Sequence, residues 1–189
     1  IDFINPNNKK ILKKKKKYYI DEDGNQFNIK RKILRFVDTD DYTNNFSFQW
    51  KLFQNTQIDS KSKNYSESKE RFFAATNWYG ENLKNINILE AGSGAGRFTN
   101  IMIKYTDANI YSFDFSNSVE SNYNNNFKYK KNLKIFQADI YNIPFKNNSF
   151  DKIVCMGMLQ HTPDVEKSIE CLVEKLKIGG EIIVDFYAI

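Results

Sequence analysis

Histidine occurs once, at His161, and cysteine twice, at Cys155 and Cys171. A zinc centre of several Cys and His needs ligands that this chain hardly has, so no metal is expected. A disulfide framework is excluded, and two thiols suit a reducing compartment, so a cytoplasmic location is expected. No apolar run approaches the ~20 residues of a membrane-spanning helix. The first residues are polar and lysine-rich, without the apolar stretch of a secretory leader. Glycine is scarce as well, eight in all, which makes its placement informative. Even the excess of positive charge is local. The net charge is +5, and seven lysines lie between positions 9 and 17, so the rest of the chain carries −2. A nucleic-acid-binding body spreads basic charge over a face, so nucleic acid is not an expected partner. Two readings of the lysine run stay open. It is a polybasic arm for RNA, DNA or anionic lipid, or it is a solvated, poorly ordered end.

What remains is ordinary for a soluble domain: 189 residues, 41% hydrophobic and 27% charged. A chain of this size buries a core without cross-links. Residues 1–37 read as a basic tail followed by a small β-hairpin, Tyr18 to Val37, around the turn residues Asp21-Glu22-Asp23-Gly24-Asn25. Residues 38–84 read as a lead with helical character from Ser66 to Lys84, where Phe72, Phe73 and Trp78 form an apolar side. From position 85 to 189 short apolar strands alternate with helices. Strands are expected at 86–89, 109–113, 133–136, 151–156 and 181–187, and helices at 98–105, 119–130 and 163–177. Gly179-Gly180 is expected to cap the last helix. Such alternation makes an α/β domain with a mostly parallel, doubly wound, Rossmann-like sheet. Ligands of such sheets bind at the carboxyl ends of the strands.

Three of the eight glycines fall within five residues, at Gly92, Gly94 and Gly96, between a strand and a helix. Glycine there permits left-handed backbone angles and close approach by a ligand. The dinucleotide fingerprint G-x-G-x-x-G would place its third glycine at position 97, which is Arg97. The loop is instead E-x-G-x-G-x-G, with Glu90 at the strand end, where an ammonium group suits the site better than a pyrophosphate. Asp114 closes the next strand and can accept both hydroxyls of a ribose. Asp139 follows the strand after that, where an adenine amino group is a suitable donor. Three acids on successive strand ends suit a nucleoside that bears positive charge.

These segments resemble the class I S-adenosylmethionine-dependent methyltransferases. Glu90 to Gly96 is similar to that family's first motif and Phe113-Asp114-Phe115-Ser116 to its second. Ala138-Asp139-Ile140, with Ile143-Pro144-Phe145 and Ser149-Phe150-Asp151, is similar to the approach to its fourth strand. Gly157 to Asp164 resembles the segment after that strand in the small-molecule branch, and Leu176 to Gly180 the turn into the fifth. The resemblance covers residues 86–187. It implies that S-adenosyl-L-methionine lies with its methionine part along Gly92, Gly94 and Gly96. Its ribose would rest on Asp114, and its adenine edge on Asp139 between Phe115 and Ile140. Upstream, Gln49, Trp50 and Arg71 resemble a lead that caps the cofactor in a bacterial subgroup. Residues 18–37 faintly resemble a zinc-ribbon-like lead, without its cysteines.

The expected activity is methyl transfer to a small acceptor, a hydroxyl of a sugar, lipid or quinone precursor. His161, after the fourth strand, is the candidate catalytic base, since imidazoles titrate near neutrality. The alternatives are an RNA methyltransferase using the lysine arm, a NAD-dependent oxidoreductase of similar fold, and a non-catalytic nucleoside-binding module. The family sheet has seven strands and this chain reaches the fifth, so a piece of a longer protein is expected.

Overall fold

The computed structural model describes residues 1–37, 67–129 and 131–186. Four short strands open the chain: β1 (Lys13–Lys14), β2 (Tyr18–Ile20), β3 (Gln26–Lys30) and β4 (Ile33–Arg35). After them come β5 (Asn87–Ala91), β6 (Asn109–Asp114), β7 (Leu133–Gln137), β8 (Phe150–Met156) and β9 (Leu176–Asp185). The helices are α1 (Glu67–Thr76), α2 (Arg97–Tyr105), α3 (Val119–Asn126) and α4 (Val165–Val173). The described strands form one sheet in the order β1-β2-β3-β4-β7-β6-β5-β8-β9. β5 to β9 are parallel, as the alternation of strands and helices demands.

The expected hairpin between β2 and β3 is present, with Tyr18 opposite Asn28 and Ile20 opposite Gln26. It does not stand alone. β4 pairs in parallel with β7, Leu34 opposite Phe136, so the lead extends the main sheet. Of the two readings left open for the basic tail, a poorly ordered end does not describe the first seventeen residues, which are anchored. Phe3, Ile4 and Leu12 are buried. The Phe3 ring stacks on Phe145 at 4.9 Å and meets Phe136 edge-on at 5.2 Å. Two aromatic contacts of this kind, with the buried area behind them, outweigh the entropy of ordering the segment, and Lys13 to Lys17 stay exposed.

The inner parallel strands β5 to β8 are buried on both faces, which is why they read as apolar runs, whereas β9 at the edge is largely half-buried. In β5, Ile88 points to one cluster with Phe72, Trp78, Met102 and Ile110, beneath α1 to α3. Its neighbour Leu89 points to the other, with Tyr111, Phe113, Phe136, Phe145 and Leu172.

Three helix ends differ from expectation: α3 stops at Asn126, after which Phe127–Tyr129 tighten into a 3-10 turn. α1 stops at Thr76 because Asn77 takes a left-handed φ of 57° and its N–H closes on the Phe73 carbonyl. α4 stops at Val173, and Leu176 already belongs to β9. Gly179 and Gly180 therefore do not cap a helix. They lie where β9 bulges against β8, between the pairs Phe150–Leu176 and Lys152–Glu181.

The β3–β4 connection has only Arg31 and Lys32 between the paired residues Lys30 and Ile33. Both take left-handed angles, φ 50° and 68°. Two-residue hairpins favour Asn-Gly in these positions. A left-handed non-glycine residue costs ~1–2 kcal/mol, less the ~0.5–1 kcal/mol of chain entropy that glycine would add. Lys32→Gly is therefore expected to stabilise the fold by about 0.5–1 kcal/mol, a rise in Tm of roughly 1–4 °C. A fall in Tm on thermal melting would show that the turn carries no strain.

Candidate active site

β6 ends at Asp114, and the loop after β5 turns back over it. The Gly94 N–H donates to Asp114 Oδ2 at 2.8 Å. Asp114 Oδ1 accepts from the Ser116 N–H at 2.8 Å and from its hydroxyl at 2.7 Å. This carboxylate therefore keeps an acceptor site on Oδ2. Asp139 caps the 3-10 turn Ile140–Asn142, and its Oδ1 accepts from the Tyr141 N–H at 3.0 Å.

Between these acids lies a cleft of about 300 Å³, lined among others by Gly92, Asp114, Phe115, Asp139, Ile140 and His161. Ile140 is buried in its wall and Phe115 is 39% exposed. Gly92, at φ 73°, lets Met158 pack directly on the loop: a Cβ there would stand 2.5 Å from Met158 Cγ. Gly96, also left-handed, starts α2, and a Cβ on it would strike the buried amides of Asn122 and Asn126.

Glu90 does not line this cleft. Expected at the rim, it is buried under the loop. Its Oε2 accepts from the hydroxyls of Thr99 and Ser112, which Asn122 Nδ2 also contacts at 3.0 and 2.9 Å. Burial raises this carboxyl from 4.5 to about 7, against the lowering by those two hydroxyls. Arg71 lies apart as well. Its guanidinium pairs with Asp185 at the end of β9, and Asp185 in turn accepts from the Gly157 N–H. Gly94 acts on the cleft through Asp114 rather than by lining it. Gln49 and Trp50 fall outside the described residues.

Several groups of the site gave no signal in the sequence. Tyr141 and Met158 line the cleft. The Tyr141 hydroxyl donates to the Asp164 carbonyl and accepts from the Asp164 N–H, both at 3.0 Å, and so ties the two rims together. Asp164 is the N-cap of α4, as its place before Val165 implies. From the lead, the buried Arg35 holds Gln137 at 2.5 Å, and Gln137 donates to the Phe115 carbonyl at 2.7 Å. Cys155 is buried in β8, where burial pushes the thiol up, so it is core and not a nucleophile.

A family model described as a methyltransferase domain matches residues 89–184. The chain belongs to the methyltransferase-domain family. A tRNA U34 carboxymethyltransferase of Nautilia profundicola is 32% identical over 106 residues, which are 55% of this chain and 35% of the relative. A demethylmenaquinone methyltransferase of Desulfitobacterium hafniense is 30% identical over 77 residues, 39% of this chain and 30% of the relative. The match thus spans about a third of the length of these curated relatives. The fold is shared with phosphoethanolamine N-methyltransferase 2 of Haemonchus contortus, solved in complex with S-adenosyl-L-methionine. There the TM-score is 0.56 and the identity 18%, over 71% of this chain and 34% of that one. Within this methyltransferase domain the glycine loop, Asp114 and Asp139 all fall inside the matched segment, whereas residues 1–37 precede it.

Proposed function

We propose that this methyltransferase domain binds S-adenosyl-L-methionine in the cleft and directs methyl transfer to a hydroxyl of a small acceptor of the sugar, lipid or quinone-precursor type. The observation that carries the reading is the pair of carboxylates, Asp114 and Asp139, on one cleft with Phe115, Ile140 and Gly92. Asp114 is oriented by three donors and keeps an acceptor site for a ribose hydroxyl. Asp139 accepts from an adenine amino group, and Phe115 and Ile140 give the ring its apolar contacts. The residues present fit the cofactor.

When bound, S-adenosyl-L-methionine supplies an activated methyl group on a sulfonium, so the protein's task is chiefly to align the reactants. Met158 and Tyr141 also line the cleft, and their apolar surface suits a compact acceptor. The demethylmenaquinone relative supports the quinone-precursor class of acceptor, not the hydroxyl on it. His161, on the same rim, takes the proton from the acceptor hydroxyl.

Calorimetric titration with S-adenosylhomocysteine, with NAD as the control, tests the cofactor. Micromolar binding of the former alone is expected, and binding of NAD alone would overturn the reading. His161→Ala is expected to lower turnover by roughly tenfold or more while leaving S-adenosylhomocysteine affinity unchanged. Full turnover in that variant would remove the imidazole from the mechanism.

A further inference from the structure

The lysine run is compact in sequence but not in space. Parallel pairing of β4 with β7 sets the direction of the lead, so the β1–β2 turn at Lys15, Lys16 and Lys17 lies at the amino edge of the sheet. The β3–β4 turn lies beside it: the Ile29 N–H donates to the Lys17 carbonyl at 2.9 Å. Lys30 and Lys32 flank the second turn, and Lys131 stands just ahead of β7. All six lysines are exposed, and none makes an ion pair with a described residue. They cross the ends of five neighbouring strands, a row of about 19 Å at ~4.8 Å per strand. Asp107, ahead of β6, closes the row.

Two further observations give the row a purpose. The β3–β4 turn holds Lys32, exposed and without an ion pair to a described residue, in a left-handed position that glycine would occupy at lower cost, while its neighbour Arg31 pairs with Glu120. At the β7 end, Phe127 is 46% exposed and stacks on Tyr123 at 4.5 Å with the rings nearly parallel. A flat, supported aromatic face beside a line of unpaired cations is the combination that holds a single strand, with phosphates on the cations and a base on the ring. A membrane surface would need no such ring at the end of a row.

We infer that the amino edge of the sheet is a docking surface for single-stranded nucleic acid, at the opposite end of the strands from the cleft. The sequence argued against such a partner because its basic charge is confined to one stretch. Folding spreads that charge into a row and adds Lys30, Lys32 and Lys131 from elsewhere.

The test is fluorescence anisotropy of a labelled single-stranded RNA of about twelve nucleotides, titrated between about 50 and 200 mM salt. The full chain is expected to bind with a steep salt dependence. Replacing Lys15, Lys16, Lys17 and Lys32 by Gln is expected to weaken binding at least tenfold and to flatten the log–log salt slope by about 3. The same four as Arg should retain both. Phe127→Ala is expected to weaken binding severalfold with the slope unchanged. Absence of binding by the full chain, or an unaltered slope in the Gln variant, overturns the proposal. So does Phe127→Ala binding like the parent with equal affinity for vesicles of anionic lipid, which would assign the row to a charged surface. Titrating each variant with S-adenosylhomocysteine reads the cleft separately, so a failure there is distinguished from a failure at the edge.

Discussion

Asp114→Ala is expected to weaken S-adenosylhomocysteine binding by about a hundredfold or more. The side chain has two duties, to hold the loops and, as proposed, to hold the ribose. It accepts from the Gly94 N–H, which pins the glycine loop, and from the N–H and hydroxyl of Ser116, which pin the chain after β6. Hydrogen bonds to a charged group are worth ~1.5–3 kcal/mol each, and donors left unpaired cost ~1–3 kcal/mol. Losing one ligand contact and loosening one loop together reach the ~2.7 kcal/mol that corresponds to a hundredfold. Asp114→Asn separates the duties. The amide retains one acceptor for the loop but loses the charge, so an intermediate loss is expected. Calorimetry on both variants, with thermal melts as a folding control, is the check. Parent-like affinity in Asp114→Ala would move the ribose site elsewhere.

Much of this was legible because the parallel core is buried on both faces. β5 to β8 show as apolar runs, and the glycine loop shows because glycine is rare elsewhere in the chain. The cleft acids Asp114 and Asp139 were legible as strand-end carboxylates. What escaped depends on contacts between distant segments. Phe3 and Leu12 sit among polar and basic residues, and nothing local says that they reach an aromatic cluster built from Phe136 and Phe145. Asn122 and Asn126 pass for two more asparagines in a chain with twenty-four. Their i, i+4 spacing on α3 turns both amides inward, where Asn126 Nδ2 holds the Gly96 carbonyl at 2.9 Å. That network fills the space beneath the loop and leaves no room for a Cβ at Gly96. Glu90 was misplaced for a related reason. Its position at a strand end was clear, but which face its carboxylate takes is decided by Thr99 and Ser112, from two other elements.

That burial has a consequence for stability. The Glu90 carboxyl is raised from 4.5 to about 7 in the folded chain, mainly by desolvation. The folded state therefore holds a proton between these values that the unfolded state releases, and stability falls as pH rises. The contribution is intact below about pH 4.5, declines to about pH 7 and is flat above, with a total of about 3 kcal/mol. Glu90→Gln removes the ionisation while keeping the shape and an acceptor for the two hydroxyls. It is expected to match the parent near pH 4.5 and to exceed it by up to about 3 kcal/mol at pH 8. Urea unfolding of both proteins at pH 4.5, 6 and 8 reads this as a midpoint difference that opens with pH. Parallel profiles would mean that the carboxylate stays ionised at low cost, with water or a cation reaching it beneath the loop. In that case the rim position expected from the sequence would be the better account of Glu90.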